Sequence, residues 1–267
     1  MKFTRGEGLM LDIFNLKGKA AIVTGGNGGL GLGIARGLAN AGAAVAIVGR
    51  NQDKLDSAYE NLKTIGPKIL KVNADVSKED DVKRMVKETV AAFGRVDILF
   101  NNAAVSYGRP ADKMTLEEWN MFIAINLTSV FLCSQAVYPE MLKVGGGKII
   151  NIGSIITQQM GHAKLIAYAA AKGGMDHMTQ SLAVAWGPDN IQVNCVIPGL
   201  VDSEMMPCSG PNKQSKIIDV VVEKSPVRRY GIPDDFQGIS VLLASPASSF
   251  ITGALIVADG GLSLAGI

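Results

Sequence analysis

A doubly wound α/β fold, with a parallel sheet of about seven strands and helices on both faces, is predicted by three features of the sequence. Short apolar, β-branched runs alternate with helical segments from residue 19 onward. The runs lack in–out alternation, as strands buried on both faces do. The first run leads through a glycine-rich turn straight into a helical pattern. Strand–helix alternation with right-handed crossovers gives a doubly wound sheet.

The elements follow in order. Lys19–Thr24 reads as a buried strand and Gly28–Asn40 as the helix after it, ended by Gly42. Ala44–Val48 is the second strand, and Asp53–Ile65 the second helix, stopped by Gly66-Pro67. Lys68–Val72 is the third strand. Ser77 is placed to cap a helix over Lys78–Phe93, with Glu79 and Asp80 in its first turn. Val96–Phe100 is the fourth strand, and two helices cover Leu116–Val144. Lys148–Ile152, the helix Ala167–Trp186 and Ile191–Ile197 come next. A helical stretch at Pro233–Leu243 and a short strand at Leu255–Val257 complete the pattern. No repeat or linker interrupts it, so one domain is expected over 1–267, after an N-terminal extension at 1–15. The least regular part, about 202–230, holds Pro207, Gly210, Pro211 and Pro226 around an amphipathic piece. Long irregular segments in compact domains often cover a site, so it is read as a substrate lid.

Composition narrows the function classes. The chain of 267 residues is 48% hydrophobic, which suffices for a sizeable core. Its formal net charge of +2, without long single-sign runs, gives no nucleic-acid-binding surface. Cys133, Cys195 and Cys208 are too scattered for a disulfide framework or a paired Cys-x-x-Cys site. With His162 and His177 as the two histidines, no metal site is expected. There is neither a signal-peptide h-region nor a run of 18 apolar residues, so a cytoplasmic protein without membrane contact is expected.

The turn after the first strand reads Thr24-Gly25-Gly26-Asn27-Gly28-Gly29-Leu30-Gly31. Glycines there let backbone approach a pyrophosphate, and the helix start presents free N–H groups to it. The spacing, Gly-x-x-x-Gly-x-Gly, differs from the commonest dinucleotide fingerprint. Gly49-Arg50-Asn51 ends the second strand, where a carboxylate would bind the ribose 2′-hydroxyl of NAD. The missing acid and the guanidinium favour the 2′-phosphate of NADP, with NAD as the alternative. A solvated Arg50 is the competing interpretation.

Taken together, Thr24-Gly25-(x)3-Gly29-Leu30-Gly31, Asn101-Asn102-Ala103-Ala104, Asn126, Ser154, Tyr168-(x)3-Lys172 and Pro198-Gly199 resemble the short-chain dehydrogenase/reductase family. The resemblance runs from about Leu16 to Gly261, and the overall pattern also looks like gluconate and deoxygluconate dehydrogenase-like members. It implies a Rossmann-type fold, metal-free carbonyl/alcohol chemistry and a homotetramer. It also implies that Asp75-Val76 holds the adenine and that Asn102 stabilises the strand beside the cofactor. Pro198, Gly199, Val201 and Ser203 would frame the nicotinamide. Asn126, Ser154, Tyr168 and Lys172 would be catalytic, with Tyr168 and Lys172 also touching the cofactor.

The residue types suit that assignment. Tyr168 and Lys172 are i and i+4 on one helix and share a face. A tyrosine with pKa about 10 is a poor base at neutral pH, and a nearby ammonium together with the positive charge of the oxidised nicotinamide favours its phenolate and lowers that pKa. Ser154 can donate to a substrate oxygen, and Asn126 can anchor a relay water between Lys172 and solvent. Departures exist: Tyr168 follows Ser154 by 14 positions, one more than the resemblance leads one to expect, and Ala104 and Ala258 replace a usual Gly and Val.

Three segments should shape the substrate pocket: Tyr107–Asp112, Ile155–Ile166 and Asp202–Ser225. Arg109, Gln158, Gln159, His162 and Lys164 suit a sugar acid such as gluconate. Met160, Ile166, Met205 and Met206 suit a cyclic or aliphatic ketone instead. The sequence leaves both open. A nucleotide sensor that no longer turns over, and a reductase of activated C=C bonds, are further alternatives. The retained Ser154 and Tyr168 argue against each.

Overall fold

Strand β1 (Ala20–Thr24) is buried at every position, and so is β6 (Ile191–Pro198). Inner strands of a parallel sheet are covered on both faces, so their side chains do not alternate between core and solvent. The other strands are β2 (Ala44–Gly49), β3 (Ile69–Asn73), β4 (Ile98–Asn101), β5 (Gly147–Ile152) and β7 (Leu255–Ala258). The computed structural model describes residues 12–158, 162–209, 211 and 215–265. Most of the expected N-terminal extension, with Gln159, Met160 and Gly210, lies outside the described residues.

The sheet runs β3-β2-β1-β4-β5-β6-β7, with every neighbouring pair parallel. Chain order reverses between β1 and β4, so their crossovers diverge and a crevice opens above the strand C-termini there.

Helices cover both faces. On one, α1 (Gly29–Asn40), α2 (Gln52–Leu62) and α8 (Gln237–Ala244) pack Ile34, Leu38, Leu55, Leu62 and Leu243 against Val23, Ile47 and Phe100. On the other, α3 (Glu79–Phe93), α5 (Ser129–Lys143) and α6 (Ile166–Trp186) pack Val82, Met85, Val137 and Met141 against Ile22, Val48 and Leu99. Ile22 and Val23 face opposite layers because successive strand side chains alternate. Each fully buried aliphatic side chain contributes about 2 kcal/mol of transfer free energy.

Local chemistry departs from the sequence expectation in three places. The cap of α3 is Lys78, without a side-chain bond, and not Ser77. The amide and hydroxyl of Ser77 both donate to Asp75 Oδ1, at 3.1 and 2.7 Å, so its oxygen is not aimed at the helix. Glu79, Asp80 and Asp81 instead offset the positive helix start. Next, α4 (Leu116–Ile123) does not end before α5: a π-helical turn, Ala124–Thr128, joins them. The continuous stretch Leu116–Lys143 is long and apolar enough, by length and composition, to cross a membrane. Here it packs on α3, α6, β4 and β5 and carries buried Asn126, Ser129 and Ser134. Third, the irregular segment at 202–230 contains a helix, α7 (Ser215–Lys224). Cys133, Cys195 and Cys208 are buried and form no disulfide.

The N-terminal edge of the sheet is tied by Asp97. Its carboxylate accepts from Arg95 Nε and Nη2 (2.7 and 2.6 Å), the Ala20 amide (3.0 Å) and Lys19 Nζ (3.1 Å). Burial alone would raise its pKa, but these bonds outweigh burial and hold it below the usual carboxylate range. A depressed carboxylate stabilises the fold above its unfolded pKa, and that stability is lost as pH falls through the folded value. Asp97→Ala should therefore cost about 3 kcal/mol in denaturant unfolding at neutral pH, and less under acid conditions. An equal cost at both pH values would show that the charge contributes nothing.

Candidate active site

The glycine turn is built around Thr24, the last residue of β1. Thr24 Oγ1 donates to the Phe100 carbonyl (3.2 Å) and accepts from the Asn102 and Ala103 amides (3.0 and 3.1 Å). Asn102 Nδ2 donates back to the carbonyls of Thr24 (3.0 Å) and Gly25 (3.2 Å). The ends of β1 and β4 are thus laced together at the crevice. The lacing leaves no room beside it: a Cβ on Gly31 would lie 2.2 Å from the Gly25 oxygen and 2.5 Å from Asn102 Nδ2. Gly25 has φ +64°, a left-handed conformation that glycine adopts without strain.

Helix α1 begins at Gly29 after Gly28, with no side-chain cap. A Cβ at Gly28 would meet nothing within 4 Å, so the helix start opens onto empty space. Uncapped first-turn N–H groups beside a bare backbone fit a pyrophosphate. Asn27 lies over Gly49 at the end of β2, where a Cβ would come within 2.7 Å of its Cγ. Beyond it, Arg50 faces Asp75 at 3.8 Å, and its side chain is 60% exposed. Asn51 Oδ1 accepts from the Lys54 amide (3.0 Å), so the Asn51 side chain is occupied as the cap of α2. Val76 is buried beside Asp75. These residues fit a nicotinamide dinucleotide laid across the sheet edge.

The predicted catalytic residues gather at the end of β5. Ser154 lies just past that strand, near enough to Tyr168 on α6 for its hydroxyl to act on the phenol's ionisation. Lys172, 1% exposed, donates from Nζ to the Ile152 carbonyl at 2.6 Å. Its Nζ lies 5.7 Å from the Tyr168 ring centre. Burial pushes the Lys172 pKa down to about 8, with the nearby Cys195 and Asp176 opposing. Burial likewise raises the Tyr168 phenol, and the Ser154 hydroxyl pulls it back only in part. The lowered tyrosine pKa expected from sequence is therefore not present in the protein alone. Desolvation outweighs the ammonium, whose bond is made to a backbone oxygen.

Asn126 sits in the π-helical turn and is fully buried. Its Oδ1 accepts from the Val105 amide (3.1 Å), and its Nδ2 donates to the Val105 (3.1 Å) and Phe122 (3.0 Å) carbonyls. The side chain holds the segment after Asn102-Ala103-Ala104 in place, so a relay water would need its second lone pair or its backbone. π-bulges are frequent at functional sites, where one extra residue redirects a side chain. A buried polar chain orients α6 from beneath. Asn101 Nδ2 donates to Asn151 Oδ1 (2.9 Å), and Asn151 Nδ2 donates to Thr179 Oγ1 (2.9 Å).

On the β6 side, Gly199 passes so close to Asp259 that a Cβ would lie 2.8 Å from its Cα. Val201 bridges to Gly231, and a Cβ on Gly29 would lie 3.1 Å from that of Ser203. Ser203 therefore lies over the start of α1, and Pro198 is the buried last residue of β6. On the substrate side, Tyr107 packs on Phe122, with ring centres 4.8 Å apart. The Arg109 amide donates to the Lys164 carbonyl (2.8 Å), so two of the expected pocket segments touch. The Arg109 guanidinium pairs with Glu118 (3.2 Å), which reduces the cationic character expected from sequence. Lys164 and His162 are exposed, and Lys164 makes no ion pair among the described residues.

Sequence reasoning missed Asp176, a buried carboxyl one turn beyond Lys172. Thr157 bonds to it, and the Cys195 thiol donates to it at 3.6 Å. Burial raises its pKa. Its i+4 spacing from Lys172 was the available signal, but burial depends on β6 crossing behind it. Glu118 was missed because a capping-box acid looks local: it accepts from the Thr115 amide (2.9 Å) as well as from Arg109.

Comparison with known proteins agrees with this geometry. A family model described as enoyl-(acyl carrier protein) reductase matches residues 25–263. A 2-dehydro-3-deoxy-D-gluconate 5-dehydrogenase of Formosa agariphila is 36% identical over 256 residues, spanning 95% of this chain and 96% of that one. A 3-oxoacyl-(acyl-carrier-protein) reductase of Chlamydia pneumoniae is 35% identical over 95% of this chain and 100% of its own. A gluconate 5-dehydrogenase from Burkholderia cenocepacia, solved with NADP and tartrate, is similar with a TM-score of 0.87 at 34% identity, covering 95% and 98% of the two chains. Matched in sequence and backbone along nearly its whole length, the chain belongs to the short-chain dehydrogenase/reductase family and is an NAD(P)-dependent oxidoreductase.

Proposed function

We propose that the enzyme interconverts a secondary alcohol and a ketone on a small polyhydroxy acid of the gluconate type, with NADP(H) as coenzyme. The observation that carries the chemistry is the meeting of Ser154, Tyr168 and Lys172 at the end of β5, beside the open start of α1. The gluconate-type relatives and the exposed Lys164 support an anionic polyol. The absence of a carboxylate at Gly49-Arg50-Asn51 supports NADP.

In this reading the coenzyme, when bound, supplies the hydride donor or acceptor. Tyr168 takes the alcohol proton during oxidation or gives it back during reduction. Ser154 donates to the substrate oxygen and steadies its developing charge. Lys172, aimed by Ile152, favours the phenolate through its charge. Asn126 holds the Val105 segment and anchors the water that returns protons to Lys172. The segment 202–230 closes over the substrate. We also read the protein as a cytoplasmic homotetramer: its three cysteines are buried and form no disulfide, and Phe131, Val184, Phe250 and Leu264 offer exposed apolar surface for other copies.

A second reading, reduction of an aliphatic ketone, is favoured by the 3-oxoacyl relative and by exposed Met205 beside the crevice. The sensor reading and the C=C reductase reading leave the nearness of Ser154 to Tyr168 without a purpose.

Reduced-nicotinamide absorbance with sugar acids, polyols and simple secondary alcohols decides the substrate class. Turnover confined to simple alcohols would refute the sugar-acid reading. Tyr168→Phe should lower turnover about a thousandfold while coenzyme affinity stays within a few fold; retained activity would remove Tyr168 from its role. Burial sets the Tyr168 phenol above its ordinary value and brings Lys172 down to about 8, so alcohol oxidation should rise with pH only where the positive charge of the bound oxidised coenzyme brings Tyr168 below Lys172, and should decline once Lys172 neutralises. In Lys172→Met the rising limb should move to higher pH, because the charge favouring the phenolate is gone. An unmoved limb would show that Lys172 does not tune the base. Gly31→Ala should weaken coenzyme binding more than tenfold, read by nicotinamide fluorescence, because its methyl group would collide with the Gly25 carbonyl.

A further inference from the structure

The corner where the adenosine ribose would meet the protein holds a second cation that the coenzyme reading leaves unused. Lys54 lies in the first turn of α2, and its amide is the one capped by Asn51. Its ammonium is paired with Glu204, 150 positions later in the chain. Glu204 directly follows Ser203, whose side chain rests over Gly29 at the start of α1. The 203–204 segment therefore lies over the start of α1, and the ion pair links it to the start of α2. Arg50, beside it, is paired with Asp75 in the same manner. The Lys54 and Glu204 side chains are 45% and 75% exposed, so their pair is weak and readily exchanged.

We propose that Lys54 is a coenzyme-specificity residue, the second cation for the 2′-phosphate of NADP, and that Glu204 holds its place until that phosphate arrives. The inference rests on the NADP reading and extends it to a residue outside the strand-end motif. A phosphate monoester carries close to two negative charges at neutral pH, against one on Glu204, so it wins the ammonium. A 2′-hydroxyl carries none and leaves the pair intact. Entry of NADP then frees the Ser203–Glu204 segment from α2, whereas entry of NAD leaves it tethered. The pair acts on the coenzyme ratio from both sides: Lys54 adds affinity for NADP, and Glu204 sets the competition the phosphate must overcome.

The test is a set of dissociation constants for NADPH and NADH, by nicotinamide fluorescence, on the wild type, Lys54→Gln, Glu204→Gln and the double variant. Lys54→Gln should weaken NADPH roughly fivefold and leave NADH within about twofold. Glu204→Gln should tighten NADPH about two- to threefold, and that gain should vanish when Lys54 is also Gln. A Lys54→Gln effect equal on both nucleotides, or a Glu204→Gln gain that survives without Lys54, would overturn the proposal. A wild type that prefers NADPH with a ratio untouched by Lys54→Gln refutes this inference alone. A wild type that binds NADH as tightly as NADPH refutes the NADP reading and this inference together.

Discussion

The lacing of β1 to β4 through Thr24 and Asn102 is the constraint on which the site depends. A parallel sheet that reverses its strand order leaves two neighbouring strands whose connections run apart. Nothing in the ladder itself satisfies the polar groups at those ends. Thr24 and Asn102 satisfy them with side chains, and five hydrogen bonds close the gap. The same bonds fill the space behind the glycine turn, which is why Gly31 tolerates no Cβ. The open space at Gly28 is left on the other side, at the uncapped start of α1. One local solution to a backbone problem thus leaves an open, uncapped helix start of the kind that suits an anion.

The end of β5, with the candidate catalytic residues, follows a related logic. Lys172 is an ammonium held in the interior, and a buried charge survives only with partners. The Ile152 carbonyl and the Asp176 region meet that need and aim the side chain along the strand end that carries Ser154. Tyr168 is desolvated in the same pocket, so its phenol resists ionisation until another positive charge enters. The pocket is therefore set against premature proton loss. Among the described residues no buried side-chain polar atom lacks a partner, which leaves little slack for these groups to shift.

Polar chains inside the core fix where the two strand ends lie relative to α6. Asn101, Asn151 and Thr179 bond in series across β4, β5 and α6. Such a chain is costly if one member is removed, since its neighbours are then buried without partners. It sets the height of α6 against the sheet, and Tyr168 and Lys172 ride on that helix. Asn126 does the same for the loop after β4 by bonding both polar groups of Val105.

Strand and helix order and the glycine turn were legible in the sequence, through local signals of apolar period and glycine spacing. The candidate catalytic set Asn126, Ser154, Tyr168 and Lys172 came from the family resemblance, with which the one-turn spacing of Tyr168 and Lys172 agrees. The sequence erred or was silent where a side chain had two available partners. Ser77 could cap α3 or bond Asp75, and Asn51 could reach a ribose or cap α2. Arg109 could meet a substrate or Glu118, and Lys172 could face Tyr168 or Ile152. Packing settled these choices, because the competing partners lie on different elements and their distances depend on how those elements come together. Burial decided the rest: desolvation of Tyr168, Lys172 and Asp176 comes from surrounding strands and helices that no local pattern encodes.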